Sequence, residues 1–141
     1  MANDWLEKDP FHSYKIKIRE NHRLILSEDE LKALEDKSFE VARLDQVKDI
    51  FLFSCFTGLS YADLVKLTPD DLVKGIDGGM WIFSTRTKTD TSSRIPLLPV
   101  PLAIVEKYKN NPSVLSKGKL LPTLSNQKMN AYLKELLPVV A

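Results

Sequence analysis

The stretch Thr57-Gly58-Leu59-Ser60-Tyr61-Ala62-Asp63-Leu64 decides the fold that this sequence predicts. Residues 45–56 lead into it, and the second half of that segment is almost wholly apolar. Because this run is too long for an ordinary strand and too short for a membrane span, it predicts a buried helix. Gly58 would end the helix, since glycine accepts the left-handed conformation that a helix C-terminus often needs. Ser60 would then cap a second helix, so that the chain turns a sharp corner.

This second helix is predicted over residues 60–67, with Asp63 in its first turn, where a negative charge is favourable. The corner places small polar groups at the edge of a rigid core, which is a suitable place for a site.

A helix over residues 27–37 is predicted by a capping box, in which Ser27 caps the helix and Glu30 reaches back to it. Leu31 and Leu34 would be its buried residues. Residues 1–26 before it are predicted to be an N-terminal arm or linker, because residues 14–19 alternate as a strand or an extended segment would. The arm is an ordinary tail or a DNA-contacting linker, and it carries Lys15, Lys17, Arg19 and Arg23, with His12 and His22 nearby.

The pattern changes to that of strands after a helical turn that Thr68 and Pro69 begin. Turn residues at 77–79 precede a strand at 80–84, a polar loop at 86–92 and a returning strand at 94–98. Pro96 fits best on the edge of the sheet or near the end of its strand. The sheet has two strands, or three when residues 72–76 join it.

The last part of the chain is predicted to contain a helix at 101–109, a basic loop at 112–122 and a final helix capped by Ser125. One face of the final helix carries the core residues Met129, Tyr132, Leu133 and Leu136. The fold class predicted is therefore α+β: a mostly helical domain with a small two- or three-stranded antiparallel sheet.

Composition and charge fit one domain with an arm, since the chain has 141 residues. The net charge is +1, but the charge is uneven: residues 28–49 hold eight acids and four bases, and residues 86–135 hold nine bases and three acids. The basic half fits either a polyanion-binding surface or a solvated lysine-rich face. The single cysteine, Cys55, is placed in the buried helix and allows no disulfide within the chain, which fits a cytoplasmic location. The sequence has no signal peptide and no transmembrane run.

The corner resembles the start of the catalytic domain of the tyrosine recombinases, the phage-integrase family. In that family an apolar helix ends in Thr-Gly-Leu-Arg, with an acidic residue three positions on and then Leu-x-x-Leu. The corresponding residues here are Thr57-Gly58-Leu59-Ser60, Asp63, Leu64 and Leu67. The family's first catalytic arginine therefore falls on Ser60, which carries no charge.

The predicted hairpin loop carries the second part of the resemblance. The family's catalytic lysine lies in this loop as basic-x-Lys-Thr, before a strand that ends in Ile-Pro-Leu; here the loop reads Arg86-Thr87-Lys88-Thr89 and the strand Arg94-Ile95-Pro96-Leu97. The resemblance implies that Lys88 is the catalytic lysine, a general acid that protonates the leaving 5′ oxygen. It also implies DNA binding by Arg86, Thr87, Lys88 and Arg94. The alternative is a solvated loop lysine.

The family's reaction needs no metal and no small-molecule cofactor, because a tyrosine attacks the DNA phosphate directly. Its His-x-x-Arg box and nucleophilic tyrosine lie beyond the final predicted helix, and neither is found here: the two histidines lie near the N-terminus, and the tyrosines (Tyr14, Tyr61, Tyr108 and Tyr132) come too early. We therefore expect residues 27–141 to be a truncated recombinase catalytic domain of the DNA recombination and integration class, inactive alone. Its expected partners are double-stranded DNA and, at full length, other recombinase protomers, with no membrane.

Two other interpretations stay open. One is a non-catalytic DNA-binding or interaction module that kept the fold, and the other is a helical protein-interaction domain unrelated to DNA. Salt-dependent DNA binding separates both DNA-binding interpretations from the last one.

Overall fold

The computed structural model describes residues 8–20 and 25–140, with 139 and 140 described by their backbone alone. Its described part contains three strands, β1 (Leu72–Lys74), β2 (Met80–Thr85) and β3 (Ser92–Pro96), and six α-helices: α1 (Glu28–Asp36), α2 (Ala42–Thr57), α3 (Tyr61–Leu64), α4 (Pro99–Tyr108), α5 (Pro112–Ser116) and α6 (Asn126–Val140). The predicted α+β class, mostly helical with a small antiparallel sheet, is confirmed.

Helix α2 is the centre of the core, as its apolar sequence predicts. Val47, Ile50 and Phe53 are fully buried on the side that faces α4 and α6. Cys55 does not share this burial: its side chain is exposed. The reason is the helical repeat, because Cys55 lies roughly 200° around the helix from Phe53. The helix also begins three residues before the predicted position.

The corner after α2 forms as the sequence predicts. Gly58 takes a left-handed conformation with φ of +68°, and its N–H donates to the Ser54 carbonyl at 2.9 Å. Ser60 is the N-cap of α3, and its Oγ accepts from the Asp63 backbone N–H at 3.2 Å.

The short helix ends at Leu64, so the prediction of a helix to residue 67 is wrong at its end. The residue before a proline is driven to extended backbone, and Thr68 has this conformation ahead of Pro69. Between Leu64 and Thr68 the chain follows a tighter turn with i→i+3 bonds, from Lys66 N–H to the Asp63 carbonyl and from Leu67 N–H to the Leu64 carbonyl. A 3-10 turn follows at Pro69–Asp71.

The sheet is antiparallel in the order β1-β2-β3, which is the three-stranded version of the prediction. Ile82 on the central strand is fully buried and pairs with Ile95 on β3. Phe83 and Arg94 are paired on the opposite, outer face. Pro96 is the last residue of an edge strand, as its missing N–H requires. Since β2 extends to Thr85 and β3 begins at Ser92, the hairpin loop consists of residues 86–91 and is one residue shorter than predicted.

The C-terminal helices agree with the sequence in part. Helix α6 buries Met129 and Leu136, and Tyr132 and Leu133 pack beside them, so the predicted core stripe is confirmed. Helix α4 begins two residues before the predicted position. Residues 112–122 are not simply a basic loop, because they contain α5. Asn111 begins that helix by accepting from the Ser113 N–H at 3.0 Å.

The N-terminal part is an exposed segment followed by a capped helix. Residues 14–19 form no strand and are exposed. His22 and Arg23, which belong to the predicted arm, lie outside the described residues. The capping box is confirmed by bonds between Ser27 and Glu30 in both directions, at 2.8 and 3.2 Å. No described helix combines the length and the apolar character that crossing a bilayer requires.

Candidate nucleic-acid interface

The corner and the hairpin loop are in direct contact. The Asp63 Oδ1 atom, at the corner, accepts from the Thr87 backbone N–H at 2.8 Å and from the Thr87 hydroxyl at 2.7 Å. Thr87 is 24 residues further along the chain. The loop that carries Lys88 is therefore attached to the helix whose cap is Ser60.

Ser60 completes the bonding of the Asp63 carboxylate. Its hydroxyl donates to Asp63 Oδ2 at 2.7 Å while its oxygen caps the helix. Asp63 is only 6% exposed, and these bonds satisfy both of its oxygens. Three hydrogen bonds lower the pKa of Asp63 to about 2. The bond from the Thr87 backbone N–H has the largest effect, followed by the bonds from the Thr87 hydroxyl and from Ser60. The carboxylate is therefore ionised across the physiological pH range.

The loop itself is closed by its own backbone. Arg86 N–H donates to the Thr91 carbonyl at 2.9 Å, and Asp90 N–H donates to the Arg86 carbonyl at 2.8 Å. Asp90 has a left-handed φ of 53°, which Asp tolerates better than most residues. Lys88 lies in this loop with an exposed side chain, as predicted, and no described residue pairs with its ammonium group.

The other predicted DNA-binding residues occupy different positions. Arg86 is exposed at the start of the loop, next to Thr87. The Thr87 hydroxyl and N–H are both turned to Asp63, so its polar groups serve the contact between loop and corner. Arg94 lies on the outer face of the sheet, where its guanidinium covers the Phe83 ring at 5.1 Å. No described contact joins Arg94 to the loop cations.

Sequence reasoning missed Lys66. Its ammonium group donates to Thr87 Oγ1 at 2.8 Å. Lys66, in the turn after α3, is thus a second residue besides Asp63 that contacts the loop. The spacing of Asp63 and Lys66 contained the signal, because residues three apart share one face of a helical turn. Which residue they would jointly hold could not be read from this spacing.

Three tyrosine side chains are committed to contacts in the folded body. Tyr61 bonds the backbone of Leu124 through its hydroxyl, which accepts the Leu124 N–H at 3.0 Å and donates to the Leu124 carbonyl. Tyr108 donates to the buried Asp49 carboxylate at 2.7 Å, and burial followed by this bond raises the pKa of Tyr108. Tyr132 packs under the Arg43 guanidinium at 4.8 Å.

A second charged cluster joins α2 to α4. The Lys107 ammonium donates to Asp45 and to Asp49, each at 2.6 Å. Together with the Tyr108 hydroxyl it compensates the carboxylate of Asp49, which is 5% exposed. All its members are paired, so this cluster stabilises helix packing. Within residues 8–20 and 25–140, no group of three or more His, Cys, Asp or Glu is arranged to hold a metal ion.

Comparison with known proteins adds no relative. No family model matches the chain, and no curated protein and no solved structure matches it. Any function for the interface is therefore inferred from its own residues and from the motifs in the sequence.

Proposed function

We propose that this chain carries part of the DNA-handling surface of a tyrosine-recombinase type of strand-transfer domain. In this proposal the loop cations Arg86 and Lys88 bind the phosphate backbone of duplex DNA. The chain binds DNA without cleaving it on its own, because Ser60 stands where the family has an arginine and because these 141 residues contain neither the His-x-x-Arg box nor the nucleophilic tyrosine of the family. Such a protein would act in the cytoplasm.

The observation that carries the proposal is the hydrogen-bonded contact between Asp63 and Thr87. The resemblance rests on two short motifs, the corner and the loop, which lie apart in the sequence. In the family, a strand-transfer site needs the arginine of the corner and the lysine of the loop around one phosphate. The two motifs must therefore be close to each other in the folded chain. Two short motifs that matched the family only by chance would have no reason to be in contact.

The exposure of Lys88 gives further support. A lysine that acts as general acid must reach a leaving oxygen in a DNA groove, and a free ammonium on a protruding loop has that reach. The backbone of Thr87, next to Lys88, is held by Asp63, and this limits the motion of the loop. Arg94, on the outer face of the sheet, would contribute to a broader positive surface.

Ser60 accounts for one part of the proposed lack of cleavage. A serine hydroxyl cannot make the bidentate, charged contact that an arginine makes with a phosphate. Loss of one such stabilising donor lowers the rate by a factor of about 10²–10³. Moreover, the Ser60 hydroxyl is already used by Asp63.

The test is binding of a fluorescein-labelled duplex, followed by anisotropy at two salt concentrations. We expect a Kd in the non-specific range, about 10⁻⁴–10⁻⁶ M, that weakens steeply as salt rises. Absence of binding at low salt, or tight binding without salt dependence, would overturn the proposal.

A second candidate function is association with other copies of the chain. Large apolar side chains are exposed on the arm, in the turn between β1 and β2 and on the outer face of the sheet, including Ile16, Ile18, Ile76 and Phe83. Size-exclusion chromatography with light-scattering detection, over a range of protein concentrations, tests this function. A growing dimer fraction that Ile76→Ser and Phe83→Ser abolish would support it, and a monomer at all concentrations would exclude it.

A further inference from the structure

Lys66 occupies a position that the proposed function has not used. It lies in the turn after α3, is exposed, and donates one hydrogen bond to Thr87 Oγ1 at 2.8 Å. A lysine ammonium has three donors, so two remain for a ligand. In the part of the chain that the structure describes, no ion pair neutralises Lys66.

The Asp63 carboxylate forms no described ion pair with the Lys66 ammonium. Both oxygens of Asp63 already accept bonds, from Thr87 and from Ser60. Lys66 acts on Asp63 only through space, and it is the smallest of the causes that shift the pKa of Asp63. The Lys66 ammonium is thus held in place by a neutral hydroxyl, and no carboxylate is among its described hydrogen-bond partners.

The bond to Thr87 also fixes where that charge is. Thr87 lies between Arg86 and Lys88 in the loop, so Lys66 brings a third cation to the same loop. Asp63 and the exposed Asp90 are the acids of this cluster, which leaves it net positive.

We propose that Lys66 is a further phosphate-binding residue of this interface and acts with Arg86 and Lys88 on the DNA backbone. It supplies at the corner a positive charge that Ser60 cannot supply. This inference rests on the proposed function, since it adds one contact to the same DNA surface.

Two substitutions separate the charge of Lys66 from its hydrogen bond. Lys66→Gln keeps a donor for Thr87 and removes the charge, and Lys66→Arg keeps both. The control is Lys32→Gln, because Lys32 is an exposed lysine on α1 and changes the net charge by the same amount. Circular dichroism melts of all four proteins establish that each is folded.

The measurement is the affinity of a labelled duplex as a function of salt. Each phosphate neutralised contributes about 0.9 to the slope of log affinity against log salt. We expect Lys66→Gln to lower this slope by about 0.9. Between about 50 and about 200 mM salt, the factor by which affinity falls would then be about 3.5 times smaller for the variant than for the wild type. Lys66→Arg and Lys32→Gln should keep the wild-type slope. A wild-type slope in Lys66→Gln would overturn the inference and leave the proposed function standing, whereas absence of wild-type binding would remove both.

A second measurement needs no variant and so does not depend on folding of a mutant. Lysines of the wild-type chain are acetylated with and without excess duplex, and the products are quantified by mass spectrometry. Lys66 should be protected by the duplex to the same degree as Lys88, and Lys32 should not be protected. Equal acetylation of Lys66 with and without duplex would overturn the inference.

Discussion

Asp63 accepts two hydrogen bonds from Thr87, at 2.8 and 2.7 Å, and thereby attaches the hairpin loop to the helical corner. The first prediction follows from this contact. Asp63→Ala should destabilise the chain by about 2–3 kcal/mol, because bonds to a charged, buried acceptor are lost and the Thr87 N–H is left without its partner. Urea unfolding measures the loss, and hydrogen exchange should show the Thr87 amide losing protection. Asp70→Ala is the control, since Asp70 is exposed and has no such role. An equal effect of both substitutions would contradict the assignment.

The second prediction concerns acid. The pKa of Asp63 is lowered to about 2 in the folded chain, against about 3.9 for an unfolded aspartate. A depressed pKa contributes stability that is fully present above the unfolded value and is lost as pH falls towards the folded value. The difference in unfolding free energy between wild type and Asp63→Asn should therefore be constant at neutral pH and shrink between about pH 4 and about pH 2. A difference that grows on acidification would contradict this account.

The third prediction compares two tyrosines. Tyr108→Phe should cost about 1–3 kcal/mol, because it removes a bond to the buried Asp49 carboxylate. Tyr132→Phe is the matched control, since no described hydrogen bond uses its hydroxyl, and its effect should lie within about 0.5 kcal/mol. Chemical denaturation of both variants measures the difference. Equal stabilities would mean that Lys107 alone compensates Asp49.

The fourth prediction concerns cleavage. The chain should form no covalent adduct with a nicked suicide duplex, and Ser60→Arg should not create one. Arginine at this position adds a phosphate clamp but removes the cap of α3, at a cost of about 1 kcal/mol. It supplies no nucleophile, and the hydroxyls of Tyr61 and Tyr108 are engaged within the fold. A denaturing gel detects an adduct. An adduct of the wild-type chain that disappears when one of its four tyrosines is changed to Phe would overturn the prediction.

Much of the fold could be predicted because local signals were strong and agreed with one another. The capping box at Ser27, the glycine after α2 and the cap at Ser60 each act within a few residues of chain, so the sequence alone defines them. The same holds for the change of period between residues 80 and 96, where apolar residues fit a strand rather than a helix.

The errors arose where a weak local signal competed with a neighbour. The helix predicted over residues 60–67 ends at Leu64, because the turn that follows uses i→i+3 bonds from the N–H groups of Lys66 and Leu67 before the chain becomes extended at Thr68. Helix α5 was missed because it has only five residues, although Asn111 and Pro112 are a usual helix start. Burial of Cys55 was misjudged because helix α2 is apolar on several sides, so its sequence does not define the inward face.

The candidate site was predictable only in its separate parts. Lys88 in a polar loop and Asp63 in the first turn of a helix were both visible in the sequence. Their connection through Thr87 was not, because it is a tertiary contact between groups 24 residues apart. Lys66 was missed for the same reason, since only the folded loop brings Thr87 to its ammonium group.

If the loop held against the corner binds duplex DNA through Arg86 and Lys88, as proposed, the salt dependence of binding must reveal these two contacts. The double variant Arg86→Gln, Lys88→Gln is compared with wild type and with a control of equal charge change, Lys32→Gln, Lys109→Gln. The loop variant should lower the slope of log affinity against log salt by about 1.8, which corresponds to two phosphate contacts, while the control should keep the wild-type slope. An unchanged slope in the loop variant, or an equal fall in both variants, would contradict it.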